Sequence, residues 1–262
     1  VDFSFLKNEP VAIFNWNDAK LTPDLDKVTS DKMRARIEKH AFPWIGKSPV
    51  AELGVADIRP LLDRVSKADH LEQAHRLRFL ISNVFQFAVA TERATRDPAA
   101  DLKAVLPSRR KRNFATITEP AKVGELLRAI DGFEGTFVTG CALRLAPMLF
   151  CRPGELRAAE WVEFDLEHPD GPQWAIPAAR RKLRKADKEN PNTPPHIVPL
   201  CTQAVAVLEE LRPLTGSKRF LFPGARSSSR PMSDMTVNAA LRRLGYPKEE
   251  LTGHGFRHMA TT

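Results

Sequence analysis

The stretch TFVTGCALRLAPMLFC, residues 136–151, is almost wholly apolar and is followed at once by an arginine. A run this apolar has to be buried, and its length favours a core helix over a strand. The domain that holds it must therefore wrap other elements around it. The run also delivers a charge, Arg152, to the edge of its own core. A charge emerging there needs a partner or a function. Glu155, three residues on in CRPGELR, can hold it at the start of the next helix. A purely structural ion pair is the plainer use of the same two residues.

The flanking patterns supply the wrapping. Thr118 is a natural cap for AKVGELLRAIDGF, whose Val123, Leu126, Leu127 and Ile130 form one face. WVEFDLEHPDGPQWAIPA alternates and carries turn residues, which predicts short strands. RRKLRKADKENPNTPPHIVPL reads as a hairpin with a long polar excursion. Thr202 caps QAVAVLEELRPL, FLFPGARSSSRPMS is loop, and DMTVNAALRRLG closes on Gly245, where a left-handed residue is wanted. Residues 118–262 are thus expected to form a mostly helical domain with a small β-sheet.

Residues 30–106 read as a separate all-helical unit. Ser30 caps SDKMRARIEKH. VADIRPLLDRVS is a short helix with Asp57 as cap and Pro60 in its first turn. In LEQAHRLRFLISNVFQFAVATERA, Leu77, Ile81, Val84 and Ala88 trace one face, with Leu80 and Phe87 beside it. Residues 1–29 show no sustained period and stay unassigned. The whole is mainly α.

Between the two units, residues 107–117 read as a linker with four consecutive cations, Arg109, Arg110, Lys111 and Arg112. The chain carries a net charge of +8 and a pI near 9.6. Such a balance favours a polyanionic partner, because each Lys or Arg on a phosphate releases counterions. The linker is then a basic strap on DNA phosphates; a solvated tether is the simpler alternative. No run of 18 apolar residues predicts a membrane helix, and no secretory leader is evident. The three scattered cysteines have no metal-ligand spacing and fit a reducing cytoplasm. No Gly-rich phosphate loop is present.

The remaining chemistry lies in LTGHGFRHMATT, residues 251–262. The pattern H-x-x-R occurs twice. The copy His75 to Arg78 falls inside the long amphipathic helix, on a solvent- or DNA-facing side. His254-Gly255-Phe256-Arg257 instead follows a glycine, opens a helix and carries Phe256 as an apolar anchor. A phosphodiester under attack gains charge on its non-bridging oxygens. Guanidinium groups match those oxygens as planar, bidentate donors, and two from different segments can clamp both. A nearby histidine can move a proton. Arg152 and Arg257 are the candidate clamp.

RPGELRAAEWVEFDL, WAIPAARRK…HIVPL and RRLGYPKEELTGHGFRH, in this order, resemble the tyrosine recombinases, most of all prophage and genomic-island integrases. The helical unit, with EKHAFPWIGKSPVAEL, AHRLR and NVFQFAVATERATRDPAADLK, is similar to their SAM-like core-binding domain. The resemblance implies a site-specific recombinase that cuts and rejoins duplex DNA through a 3′-phosphotyrosine, with no metal and no cofactor. It implies Arg152 and Arg257 as the catalytic arginines, His254 as the histidine, Glu155 as support for Arg152, and Lys182 as the hairpin lysine, with Lys185 and Lys188 competing for that role. DNA contacts are expected at Arg76, Arg78 and the 109–112 strap. Homotetramers on attachment sites, away from membranes and at the nucleoid in the cytoplasm, are the implied setting. The only tyrosine, Tyr246, precedes the H-x-x-R box and matches a structural position. The nucleophile, like the N-terminal arm-binding domain, is therefore expected to be missing, and the chain as given to be inactive. A non-cutting DNA-binding remnant of an integrase is the alternative. A two-metal nuclease would need clustered carboxylates, which are dispersed here. A type IB topoisomerase shares the chemistry but not the helical domain.

Overall fold

The computed structural model describes residues 27–67, 71–108 and 115–260. The chain divides into two compact units, residues 1–111 with Arg184–Ala186 and residues 112–183 with 187–262. The 109–112 cations, and all but the last residues of the unassigned stretch 1–29, lie outside the described residues.

The first unit is helical: α1 (Lys27–His40), α2 (Phe42–Ile45), α3 (Val55–Lys67), α4 (Leu71–Ala90) and α5 (Pro98–Asp101). Helix α4 buries Ala74, Leu77, Leu80, Ile81, Val84, Phe85 and Ala88, the 3–4 spacing of one face. Against it pack Ile37 of α1 and Ile58, Leu61, Leu62 and Val65 of α3. Three expectations shift here. Helix α1 already runs at Lys27, so Ser30 lies within its first turns rather than capping it. Asp57 is the third residue of α3 and accepts from the Gly54 amide at 2.8 Å, making Gly54 the cap. Pro60 lies beyond the first turn of α3. The four buried aliphatics of that helix offset a proline penalty of about 3 kcal/mol. Asp97 joins α4 to α5, accepting from the Ala99 amide at 2.9 Å and from the Ser82 hydroxyl.

The second unit is built on the apolar run. Helices α6 (Pro120–Asp131), α7 (Phe137–Leu149) and α8 (Pro153–Arg157) lead into β1 (Phe164–Asp165), β2 (Gln173–Ile176), α9 (Lys185–Glu189) and β3 (His196–Pro199). Helices α10 (Thr202–Thr215), α11 (Thr236–Arg243) and α12 (Gly255–Met259) follow. Helix α7 buries Cys141, Ala142, Leu143, Leu145, Ala146 and Leu149, and touches α6, α8, α10, α11 and α12. The central buried helix expected from composition is this one. The caps of its neighbours sit one residue from the expected places. Glu119 precedes α6 because Pro120 takes the first helical position, where no N–H is needed, and Cys201 rather than Thr202 precedes α10.

The sheet is antiparallel in the order β1-β2-β3, with Phe164 opposite Trp174 and Trp174 opposite Val198. Trp174 and Ile176 point into the core, and the Trp174 ring stacks on Phe164 with centroids 5.2 Å apart. The polar excursion between β2 and β3 contains a 3-10 turn, Ala178–Arg180, and α9. Gly245 ends α11 at φ +90, with its amide on the Arg242 carbonyl and the Tyr246 amide on that of Leu241. This is the paired helix stop that needs a left-handed residue.

Leu77 is fully buried and Val105 is half exposed. Leu77→Ala should destabilise the first unit by about 2–5 kcal/mol, read as a lower urea midpoint. Val105→Ala should change it by no more than about 0.5 kcal/mol.

Candidate active site

The site begins where α7 ends. Phe150 closes that helix in the left-handed region at φ 48, although it is not a glycine. Such a conformation costs on the order of 1–3 kcal/mol and persists only where the surroundings enforce it. Here the chain turns so that Cys151 stays buried while Arg152 emerges as the cap of α8. Pro153 takes the first helical position and Glu155 the third.

The Glu155 carboxylate does two things at once. It accepts from the Arg152 backbone amide at 2.9 Å and from the Arg152 Nη1 at 2.7 Å. The Glu155 side chain is 5% exposed and that of Arg152 40%. A buried acid therefore fixes one edge of a guanidinium whose other donors face solvent, ready for an anion. Burial, with Glu155 nearby, pushes the Cys151 thiol up to about 12, so it stays protonated and unreactive.

The H-x-x-R box comes from the far end of the chain. His254 caps α12, Phe256 is buried in the core, and Arg257 is exposed. Arg257 Nη1 donates to the Phe150 carbonyl at 3.2 Å. Both arginines thus hang on the same α7–α8 connection. The box is held from three sides. The Thr252 amide donates to the Ala115 carbonyl at 3.3 Å, and the Thr116 hydroxyl to the Gly255 carbonyl at 2.8 Å. The Gly253 amide donates to the Asn238 side-chain oxygen at 2.9 Å. A Cβ on Gly255 would lie 2.4 Å from the Ala115 carbonyl oxygen, so only glycine fits.

Burial first, then the positive charges of Arg152 and Lys182, pull the His254 imidazole below its ordinary value. His254, Arg152 and Lys182 are thereby brought together electrostatically. Lys182 is exposed, just after the 3-10 turn that follows β2. The competing Lys185 and Lys188 lie on α9.

Other candidates fall elsewhere. Arg76 pairs with Glu72 at 2.8 Å on the exposed side of α4. Arg78 turns inward and donates to the Ala99 carbonyl at 3.1 Å, holding α5, rather than presenting its guanidinium outward as expected. His75 meets the Pro107 carbonyl at 2.8 Å. Tyr246 packs against the core, and burial, with Glu125 and Glu250, raises its hydroxyl pKa, the reverse of nucleophile activation. Sequence reasoning missed Ala115, Thr116, Asn238 and Arg180. Their contacts join segments far apart in the chain and leave no local pattern. Among the described residues no helix is long and apolar enough to cross a membrane.

His254 should titrate below 6.5 in an NMR pH series, and Arg152→Ala should move its midpoint upward. A folded value below the unfolded one means the stabilising contribution is complete above the unfolded pKa. It is lost as pH falls through the folded value. A midpoint at or above 6.5 would contradict this arrangement. Gly255→Ala should cost about 1–3 kcal/mol by forcing α12 away from Ala115.

Comparison with known proteins places the chain. The phage integrase central domain matches residues 12–105, beginning inside the stretch that pattern alone left unassigned. The integrase of Enterobacteria phage P4 is 32% identical over 243 residues, 90% of this chain and 54% of that protein. Prophage integrase IntZ of Escherichia coli K12 is 35% identical over 231 residues, 88% of this chain and 53% of that protein. The chain spans about half the length of these relatives. A lambda integrase dimer bound to a COC′ core site shares the fold at TM-score 0.69 and 16% identity, covering 95% of this chain and 86% of that one. The Tn1549 transposon integrase with circular intermediate DNA does so at 0.69 and 13%, covering 95% and 84%. The mainly α fold with a small antiparallel sheet is the fold of these proteins, and the chain belongs to the phage and prophage integrases of the tyrosine recombinase family.

Proposed function

We propose that the chain forms the DNA-cutting body of a site-specific recombinase acting on duplex attachment sites. The observation that carries this reading is the convergence of two arginines on one turn. Arg152 is fixed by Glu155, and Arg257, 107 residues beyond Phe150, is fixed by the Phe150 carbonyl. Two guanidinium groups so held match the non-bridging oxygens of a scissile phosphate and stabilise the charge that grows there. His254, its pKa drawn below the ordinary value by burial and by Arg152 and Lys182, accepts or donates a hydrogen bond at the same phosphate. Lys182 is the acid for the leaving oxygen.

In the proposed reaction a tyrosine hydroxyl attacks phosphorus. The P–O bond to the tyrosine forms and the bond to the 5′ oxygen breaks. The tyrosine gives up its proton to the His254 imidazole, and the leaving oxygen takes one from Lys182. Reversal with a second strand's 5′ hydroxyl rejoins the DNA. Tyr246, held in the α11 stop and raised in pKa, is not assigned the attacking role. Arg109 to Arg112 are proposed to lie along the phosphate backbone. A tetramer on DNA, the state of lambda integrase bound to a Holliday junction, is the proposed working assembly. It would act at host DNA in the cytoplasm.

The test is a covalent-adduct assay with the whole gene product and a nicked attachment-site duplex. A denaturation-resistant protein–DNA adduct through phosphotyrosine is expected. Arg152→Ala or Arg257→Ala should lower adduct formation by at least about 10²-fold while leaving duplex affinity within about threefold. Tight, salt-dependent binding with no adduct would establish a DNA-occupying protein instead.

A further inference from the structure

Arg180 is not one of the residues assigned to the reaction, yet its surroundings are unusual. Its side chain is 18% exposed. Nη1 donates to the main-chain carbonyl of Glu155 at 3.1 Å, and Nη2 to the carboxylate of Glu163. Nε is buried and meets no acceptor. The aim of the guanidinium fork is therefore set by its two terminal nitrogens.

Both partners are anchored. Glu155 is the residue whose carboxylate grips Arg152. Glu163 is 5% exposed and also accepts from the Trp174 indole at 2.9 Å and the Glu160 amide at 3.3 Å. Trp174 is fully buried and belongs to β2. At the other end, Arg180 is the last residue of the 3-10 turn, two positions before Lys182. One side chain thus ties the lysine-bearing segment to the backbone of the arginine-bearing helix, across a buried acid fixed to the sheet.

We propose that Arg180 is a positioning residue that latches the Lys182 segment to the α8 turn and so sets the spacing between Lys182 and Arg152. This rests on the reading of Arg152, Lys182, His254 and Arg257 as one site. An ordinary structural ion pair with Glu163 would need no second donor on the Glu155 carbonyl. The fork geometry supplies it, and a lysine could not reach both acceptors.

The test uses this chain and reads the His254 titration by NMR, alongside thermal unfolding. The variants are Lys182→Met, Arg180→Gln and the two combined. Lys182→Met should raise the His254 midpoint, since a cation is lost from beside it. Arg180→Gln should raise it by most of the same amount, although Arg180 is not among the charges that act on His254 directly. The double variant should add little more, the mark of two residues acting through one another. Arg180→Gln strands a buried carboxylate, so the variant Arg180→Gln with Glu163→Gln repeats the measurement with the pair neutralised. A lowered melting temperature with an unmoved His254 midpoint in both Arg180 variants would make Arg180 merely structural and overturn the proposal. An unmoved midpoint in Lys182→Met would instead remove Lys182 from the site, which is a failure of the underlying reading.

Discussion

The Glu155 carboxylate, buried against the end of the apolar helix α7, holds both the backbone amide and the guanidinium of Arg152. A carboxylate in that environment is costly to leave unpaired, and Arg152 is costly to leave unguided. Each resolves the other's problem. The result is a cation whose direction is fixed by the protein before any anion arrives. Preorganisation of this kind is what makes electrostatic stabilisation of a transition state effective, because little reorganisation remains for the moment of reaction.

The rest of the second unit can be seen as supports for that pair. Helix α7 supplies the apolar floor, and the left-handed Phe150 directs the chain out of it. The carbonyl of Phe150 then receives Arg257. The sheet supplies Trp174 and, through it, a fixed position for Glu163. The segment at Ala115 and Thr116 receives the box around Gly255. None of these supports needs to touch a substrate to matter. The first unit has its own core around α4, made entirely of its own residues.

Much of this was legible in the order of residues, for physical reasons. An apolar run as long as 136–151 announces burial by composition alone, and Arg152 with Glu155 announces a held cation by i, i+3 spacing. Gly245 announced a left-handed stop, which its φ of +90 realises. Cap positions were less legible. Glu119 and Cys201 each precede a helix beside a better capping residue, because the neighbouring proline or the packing, not the cap's own preference, fixed the boundary. That Pro60 falls beyond the first turn of α3 was illegible because tertiary burial overrides a local rule. Arg180 could not be singled out, since one of its two acceptors is a main-chain carbonyl, which any residue type provides. Arg78 read as a surface cation because helical spacing alone does not reveal an acceptor 21 residues away.

The contact between Thr116 and Gly255 spans 139 residues of sequence. On a ribosome, the first unit can fold and Arg152 can meet Glu155 long before Gly255 has been synthesised, because domains form in the order they emerge. The H-x-x-R box cannot dock until its own residues leave the exit tunnel and find the Ala115–Thr116 segment made much earlier. Contacts of such long separation close last and carry a large share of the loop entropy. A nascent chain would thus hold one arginine in place and lack the other. The delay keeps Arg257 away from the Phe150 carbonyl until the segment around Gly255 has left the tunnel.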